Sequence, residues 1–218
     1  MKGDVDYLCQ IYHRHIYSIL RPKTVAAVMA GMKRFLLGQL DELEYRWSNS
    51  KYENLASYLE IRKESIGMEP MLAIAEHYCL GALVDKCNHS VDYLFVNDTM
   101  SPLSSLKESM ARLCVLQNDI AGLEKDVWTS NSCNFIHVLA GLSGTQIPGI
   151  TQLDELEKVL PLSAAVHDET LLDVVAACEK ILESPASSVE QRLFGTMMRK
   201  LTVLHFRRAC SARRWKVE

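Results

Sequence analysis

Residues 102–130, PLSSLKESMARLCVLQNDIAGLEKDVWTS, decide the fold of this 218-residue chain. Pro102 suits a helix start, because its fixed φ angle and missing N–H fit the first turn. Apolar residues then recur at steps of three and four along one side, at Leu103, Leu106, Met110, Leu113, Leu116, Ile120 and Leu123. This period predicts one long amphipathic helix from Pro102 to about Ser130.

The same helical period runs through most of the rest of the chain. Residues 24–47 carry an apolar stripe at Val25, Val28, Met29, Met32, Phe35, Leu36, Leu40 and Leu43. Further helices are predicted over residues 54–63, 69–83, 134–142, 152–162, 168–183 and 189–212. Residues 85–101 have the mixed polar composition of a surface excursion. Because strands and helices do not alternate in the pattern, we predict an all-α fold of long packed helices.

The composition is typical of one ordinary globular domain over residues 1–218. Hydrophobic residues make up 48% of the chain and charged residues 23%, with ten glycines and six prolines. This excludes a disordered or collagen-like chain. No apolar stretch approaches the roughly 20 residues of a membrane span, and charged residues among the first twenty argue against a signal peptide. Seven cysteines without a CxxC pair indicate reduced thiols, so we expect a cytoplasmic protein with no membrane partner.

Charge is unevenly distributed along the chain. Residues 191–218 hold eight Lys and Arg against one Glu, a net charge of +7. Since the whole chain carries −3, the remainder carries −10. Two interpretations of this basic tail stay open: a site for an anionic partner, either nucleic acid or a phosphorylated small molecule, and a solvated helix face. Nucleic acid is the weaker choice, because no helix-turn-helix, zinc finger or stacking platform accompanies the charges.

The segment NDIAGLEKD, residues 118–126, places oxygen-bearing side chains on one helix face. Asn118, Gly122 and Asp126 are successive i, i+4 positions, which lie about 40° apart around a helix axis. Asn118 and Asp126 offer the hard oxygen donors that Mg²⁺ prefers, and Mg²⁺ takes its remaining ligands from water and phosphates. Spacing alone also fits a polar helix face in water.

The same segment resembles the second metal-binding motif of class I terpene synthases, N-D-x-x-(S,T,G)-x-x-x-(E,D), often with Lys before the final acid. Asn118, Asp119, Gly122, Lys125 and Asp126 occupy its positions in order. The resemblance implies a metal held by Asn118, by Gly122 through a water that replaces the usual hydroxyl, and by Asp126. Lys125 is implied as a contact of the substrate diphosphate.

Two further segments resemble the same family, in its microbial and microbial-like plant forms. YLEIRKESIGMEP, residues 58–70, is similar to the segment whose Arg senses the diphosphate, which implies that role for Arg62, with Lys63 as the neighbour that could replace it. HFRRACSARRW, residues 205–215, is similar to the terminal Arg-Tyr motif that hydrogen-bonds the diphosphate. There Arg214 matches the Arg, and Trp215 stands where Tyr is usual.

The resemblance therefore implies a fold, a cofactor and a reaction. The fold is the class I terpenoid synthase helical bundle, and the cofactor is Mg²⁺ or Mn²⁺. The reaction ionises a prenyl diphosphate such as farnesyl or geranyl diphosphate, giving a mono- or sesquiterpene and diphosphate. The partner is then a small molecule rather than nucleic acid.

One family feature is absent from the sequence, the aspartate-rich DDxxD-like motif. We therefore expect a bundle that is incomplete at the N-terminus and corresponds to the C-terminal two-thirds of the family's catalytic domain. The alternative to an active enzyme is a catalytically inactive truncated paralogue, or a helical binding protein that retains the second metal motif. A chain that lacks the helices bearing the aspartate-rich motif is expected to expose an apolar face and to aggregate or form a homodimer.

Overall fold

Seven helices are present in the described part of a computed structural model, which covers residues 19–48, 52–81, 102–129, 131, 133–141 and 153–211. They are α1 (Pro22–Ser48), α2 (Leu55–Ser65), α3 (Met68–Gly81), α4 (Pro102–Trp128), α5 (Phe135–Leu139), α6 (Leu153–Glu183) and α7 (Val189–Ser211). No strand occurs in these residues, so the all-α prediction is confirmed. None of the described helices has both the length and the apolar character needed to cross a membrane.

The central element is α4, which contacts α2, α3, α5, α6 and α7. The predicted stripe from Leu103 to Leu116 is buried, and Ile120 and Leu123 pack against the core from half-buried positions. Over residues 113–117 every side chain is buried. A helical segment that is buried on all sides needs neighbours on all sides, so the other helices pack around this part of α4.

The stripe predicted on α1 is correct at Val25 and Val28 and wrong at three positions. Met29, Leu36 and Leu40 are 46%, 59% and 61% exposed. The buried face contains glycines instead: a Cβ on Gly31 would lie 2.9 Å from Pro70 N, and one on Gly38 would lie 2.7 Å from Ser65 N. Small residues let helix backbones approach closely, so α1 packs on α2 and α3 through positions that a count of apolar side chains overlooks.

Helix α6 corrects the prediction of two helices over residues 152–162 and 168–183. It runs unbroken from Leu153 to Glu183 with Pro161 inside it. An interior proline removes one backbone hydrogen bond and costs about 3 kcal/mol. Pro161 lies on the exposed side, where water reaches the unpaired carbonyl, while Leu156 and Ser163 are buried on either side of it. Burial of the apolar face therefore outweighs the local preference for a break.

The break predicted between the second and third helices is confirmed. Helix α2 begins with a capping box, in which the Asn54 side chain accepts from Ser57 N at 2.9 Å and Ser57 Oγ accepts from Asn54 N at 3.2 Å. It ends at Ser65, and Gly67 has a φ of 71°, a left-handed conformation that glycine adopts without strain. The predicted surface excursion at 85–101 lies outside the described residues.

Three buried clusters lie in the described part of the bundle, and two of them surround α4. One joins α3, α4, α6 and α7 through residues such as Leu72, Met110, Val174 and Phe194. The other surrounds the C-terminal half of α4 with Tyr52, Tyr58, Val115, Leu116, Cys133, Phe135, Ile136 and Leu156. The described cysteines are free thiols, and four of the five are buried, as expected of reduced cysteines. The second cluster encloses the residues of the candidate site.

Candidate metal site

The C-terminal half of α4 carries the predicted metal ligands on one helix, as the sequence indicates. Asn118 is half-buried, Gly122 is buried, and Asp126 is 6% exposed. Within the described residues no hydrogen bond engages the Asn118 side chain. Its amide oxygen is therefore available to a ligand.

Asp119, the second residue of the motif, is the buried centre of a network. Its carboxylate is 1% exposed and accepts from the Tyr58 hydroxyl, from Phe135 N at 3.1 Å and from Arg62 Nη2 at 3.2 Å. Burial raises the pKa of Asp119, while the charge of Arg62 and the two other donors oppose that shift. The network connects α2, α4 and α5 at one point.

Arg62 is already engaged by carboxylates in this structure. Besides Asp119, its Nη1 contacts Glu42 Oε2 at 3.0 Å and Ser65 Oγ at 3.1 Å, and Ser65 Oγ donates to the same Glu42 oxygen at 2.5 Å. Burial acts to lower the pKa of Arg62, but Asp119, Tyr58 and Glu42 outweigh it and hold that pKa well above its usual value. The Arg62 Nε is buried and has no hydrogen-bond partner among the described residues.

Among the described residues, the side chains that donate to the Asp126 carboxylate are amides. Asn131 Nδ2 donates to its Oδ1 at 2.8 Å, and Asn134 Nδ2 donates to its Oδ2 at 3.0 Å. Asn134 also donates to the backbone oxygen of Asp119 at 2.8 Å, and Asn131 N donates to the backbone oxygen of Asp126 at 2.8 Å. The segment after α4 therefore folds back onto both acidic residues of the motif.

The charges of the network favour a cation. Glu42 and Asp119 both contact Arg62, and the described donors to the Asp126 carboxylate are neutral amides. Buried carboxylates are stable in the ionised form when positive charge compensates them. An amide oxygen and a carboxylate are also the donors that Mg²⁺ prefers, so the residues present fit a hard divalent ion.

The described residues offer few protein ligands for a metal ion at this site. In the described ranges no three His, Cys, Asp or Glu side chains are placed to hold a metal ion together. Mg²⁺ commonly takes only one or two carboxylates and completes its shell with water and phosphates. Asn118 and Asp126 therefore suit a metal that binds together with a phosphate-bearing substrate.

Sequence reasoning overlooked much of what surrounds these ligands. No sequence motif points to Glu42, to Asn131 or to the contact of Tyr58 with Asp119. Asp119 was matched to the motif without a role. One signal was available: Asp119 and Asp126 are seven residues apart, two turns of one helix face. Arg214 and Trp215 lie outside the described residues.

The last helix is joined to α4 next to the motif. Gln117 Nε2 donates to Thr202 O at 3.2 Å, and His205 Nδ1 pairs with Gln117 Oε1 at 3.0 Å. Since the Gln117 amide nitrogen is already used as a donor, its oxygen accepts from the His205 ring N–H. Residue 117 directly precedes Asn118, so this contact aligns the basic C-terminal helix with the motif.

A cleft with a volume of about 590 Å³ lies between α1, α3 and the first half of α4, away from the candidate metal site. Its charged lining includes Arg34, Lys63, Glu69, Glu76, Lys107 and Glu108. These groups pair with one another, as in Lys107 Nζ to Glu76 Oε2 at 2.8 Å and Lys63 Nζ to Glu108 Oε1 at 3.0 Å. The cleft is at the opposite end of α4 from Asp126.

Comparisons with known proteins relate this chain to one protein family. Residues 6–148 match the protein family described as terpene synthase family 2, C-terminal metal binding. The chain is also similar to pentalenene synthase of Streptomyces arenae, with 28% identity over 102 residues. That match covers 47% of this chain and 27% of the relative, so the chain spans little more than a quarter of pentalenene synthase. No solved structure matches the chain.

Proposed function

Because the chain belongs to terpene synthase family 2, we propose that it binds a prenyl diphosphate with a divalent metal ion and promotes loss of the diphosphate group. The products are a terpene and inorganic diphosphate, and farnesyl and geranyl diphosphate are the substrates of choice. Mg²⁺ is the proposed metal, with Mn²⁺ as its substitute. The cysteine pattern supports a cytoplasmic location.

The observation that carries this proposal is the pairing of Asn118 and Asp126 on one face of α4. Asp126 is buried with both carboxylate oxygens oriented by amide donors, and the Asn118 amide makes no competing bond within the described residues. We assign these two side chains as metal ligands, with a water at Gly122. When bound, the metal supplies positive charge that stabilises the departing diphosphate.

Basic side chains are proposed to bind the diphosphate oxygens. Arg62 lies beside the motif and presents a planar guanidinium suited to phosphate. Its contacts with Asp119 and Glu42 hold it in place, and its buried Nε donates to none of the described residues. Lys125, Arg214 and Trp215 are proposed contacts from the family resemblance. Fixed donors of this kind stabilise charge that develops as the bond breaks.

The test measures inorganic diphosphate release and hydrocarbon products from geranyl, farnesyl and geranylgeranyl diphosphate, with Mg²⁺ and with chelator. We expect metal-dependent turnover in the wild type, and its loss in Asn118→Ala and Asp126→Ala. Glu124→Ala is the matched control, because Glu124 is an exposed acid on the same helix two residues from Asp126 and on another face. Turnover in both ligand variants equal to that of the control contradicts the site assignment.

The same experiment separates the alternative function. A folded wild-type chain without turnover, which still binds Mn²⁺ and inorganic diphosphate, supports a helical binding protein. The homodimer expected from the sequence is a separate prediction, checked by sedimentation of the purified chain.

A further inference from the structure

We propose that Asn134 is a positioning residue that orients the Asp126 carboxylate and so sets the metal affinity of this site. The inference rests on the proposed function and deepens it, because Asn134 lies outside the motif and touches neither metal nor substrate. It acts through Asp126.

The hydrogen bonds of Asn134 leave its amide with one orientation. Its Nδ2 has two hydrogens, and both are used, at 3.0 Å from Asp126 Oδ2 and at 2.8 Å from Asp119 O. Its Oδ1 accepts from Ile136 N at 3.0 Å. The side chain is fully buried. Turning the amide over would place its oxygen against a carboxylate and a carbonyl, and would leave Ile136 N facing a donor.

The amide is anchored in a helix cap, and this makes its position rigid. Asn134 is the N-cap of α5, the helix whose first residue, Phe135, donates its N–H to Asp119 Oδ2. The two acceptors of Asn134 belong to residues two turns apart on α4. One buried side chain therefore ties the start of α5 to both acidic residues of the motif.

Neutral donors are well suited to a metal-ligating carboxylate. Asn134 takes one position on Oδ2, and Asn131 takes one on Oδ1, so each oxygen of Asp126 keeps an acceptor position for a cation. A Lys or Arg at the same place would orient the carboxylate but would also repel the metal. Groups that orient a metal ligand in this way typically change metal affinity by about 10–100-fold when they are removed.

The experiment compares Asn134→Asp with Asn54→Asp. In both variants the side-chain oxygen that caps the helix is kept, the NH₂ donor is lost and one negative charge is added. Asn54 is exposed, caps α2 through Ser57 N and makes no contact with Asp126. Mn²⁺ is titrated calorimetrically in the presence of inorganic diphosphate. We expect Mn²⁺ affinity to fall at least about tenfold in Asn134→Asp and to be unchanged in Asn54→Asp.

A second variant distinguishes the loss of the donor from misfolding and from the effect of the added charge. Asn134→Ser keeps an N-cap oxygen for Ile136 N, adds no charge and removes the donor to Asp126. We expect it to retain the helical circular dichroism of the wild type and to bind Mn²⁺ at least about tenfold more weakly. In Asn134→Ser the metal concentration that gives the half-maximal rate should rise while kcat is preserved. A positioning role predicts this result, whereas a general loss of structure would also lower kcat.

The outcomes distinguish this inference from the proposed function. If the wild type binds Mn²⁺ and both Asn134 variants bind it as tightly as Asn54→Asp, the positioning role is overturned while the metal site stands. If the folded wild type neither binds Mn²⁺ nor turns over, the proposed site itself is overturned, and the role of Asn134 with it.

Discussion

Arg62 on α2 and Asp119 on α4 form a buried ion pair, with Nη2 and Oδ1 3.2 Å apart. The arginine that the family resemblance assigns to diphosphate recognition is therefore held by the metal motif itself. Glu42 on α1 contacts the same guanidinium at 3.0 Å, so three helices meet at Arg62. This arrangement makes the packing of the bundle and the geometry of the site depend on the same side chains.

We predict that Asp119→Asn lowers the free energy of unfolding by about 1–3 kcal/mol, because an amide has one acceptor oxygen where the carboxylate accepts on both, from Arg62 on Oδ1 and from Tyr58 and Phe135 N on Oδ2. Urea denaturation followed by circular dichroism measures the change. Glu124→Gln, the same change at an exposed position of α4, is expected to stay within about 0.5 kcal/mol of the wild type. Equal effects of the two substitutions would show that the buried network adds nothing to stability.

Gly38→Ala is predicted to destabilise the protein by about 1–3 kcal/mol, because a Cβ there would lie 2.7 Å from both Glu64 Cβ and Ser65 N. Helices α1 and α2 would have to move apart. Gly195→Ala is the matched control within α7: its Cβ would meet Ile181 Cγ2 at 3.4 Å, so the better helix propensity of Ala is expected to leave stability unchanged or raise it by up to about 1 kcal/mol. Thermal unfolding of both variants checks this, and a Gly38→Ala protein as stable as the control contradicts the close approach.

The His205 contact predicts a dependence of stability on pH. Burial, together with nearby Arg208, lowers the pKa of His205 in the folded protein. The unfolded chain binds a proton at about pH 6.5, so stability should fall as the pH drops below that value toward the folded pKa. His205→Asn keeps a donor near the position of Nδ1 but does not titrate. Its unfolding free energy should change less steeply than that of the wild type between about pH 5 and 6.5, and parallel curves would contradict the assignment.

The buried cysteines are predicted to resist alkylation. Burial raises the pKa of Cys114 to about 12 and also raises the pKa of Cys178, and the thiolate is the reactive form. Cys210 is exposed. Iodoacetamide at pH 8 should therefore modify Cys210 in the native protein and reach Cys114 after addition of urea, as read by peptide mass spectrometry. Rapid modification of native Cys114 would contradict its place in the core.

Much of the fold could be predicted from the sequence, and each wrong prediction has an identifiable physical cause. The apolar period of α4 and the start and end signals of α2 correspond to the structure, because both depend on interactions within one helix. The stripe on α1 was wrong at Met29, Leu36 and Leu40, since Gly31 and Gly38 occupy the buried face where α1 comes closest to α2 and α3. Two helices were predicted over residues 152–162 and 168–183, but α6 runs unbroken from Leu153 to Glu183, because packing outweighs the local signals for a break.

The helical class of this protein and the placement of Asn118, Gly122 and Asp126 on one helix face can be read from the sequence, since both follow from the period of a single helix. The tertiary structure alone decided the surroundings of those residues. Arg62 lies 57 residues from Asp119 along the chain and Glu42 lies 20 from Arg62, and they meet because α1, α2 and α4 pack together. Contacts between separate helices depend on how their backbones approach, and no spacing along one chain segment encodes that distance.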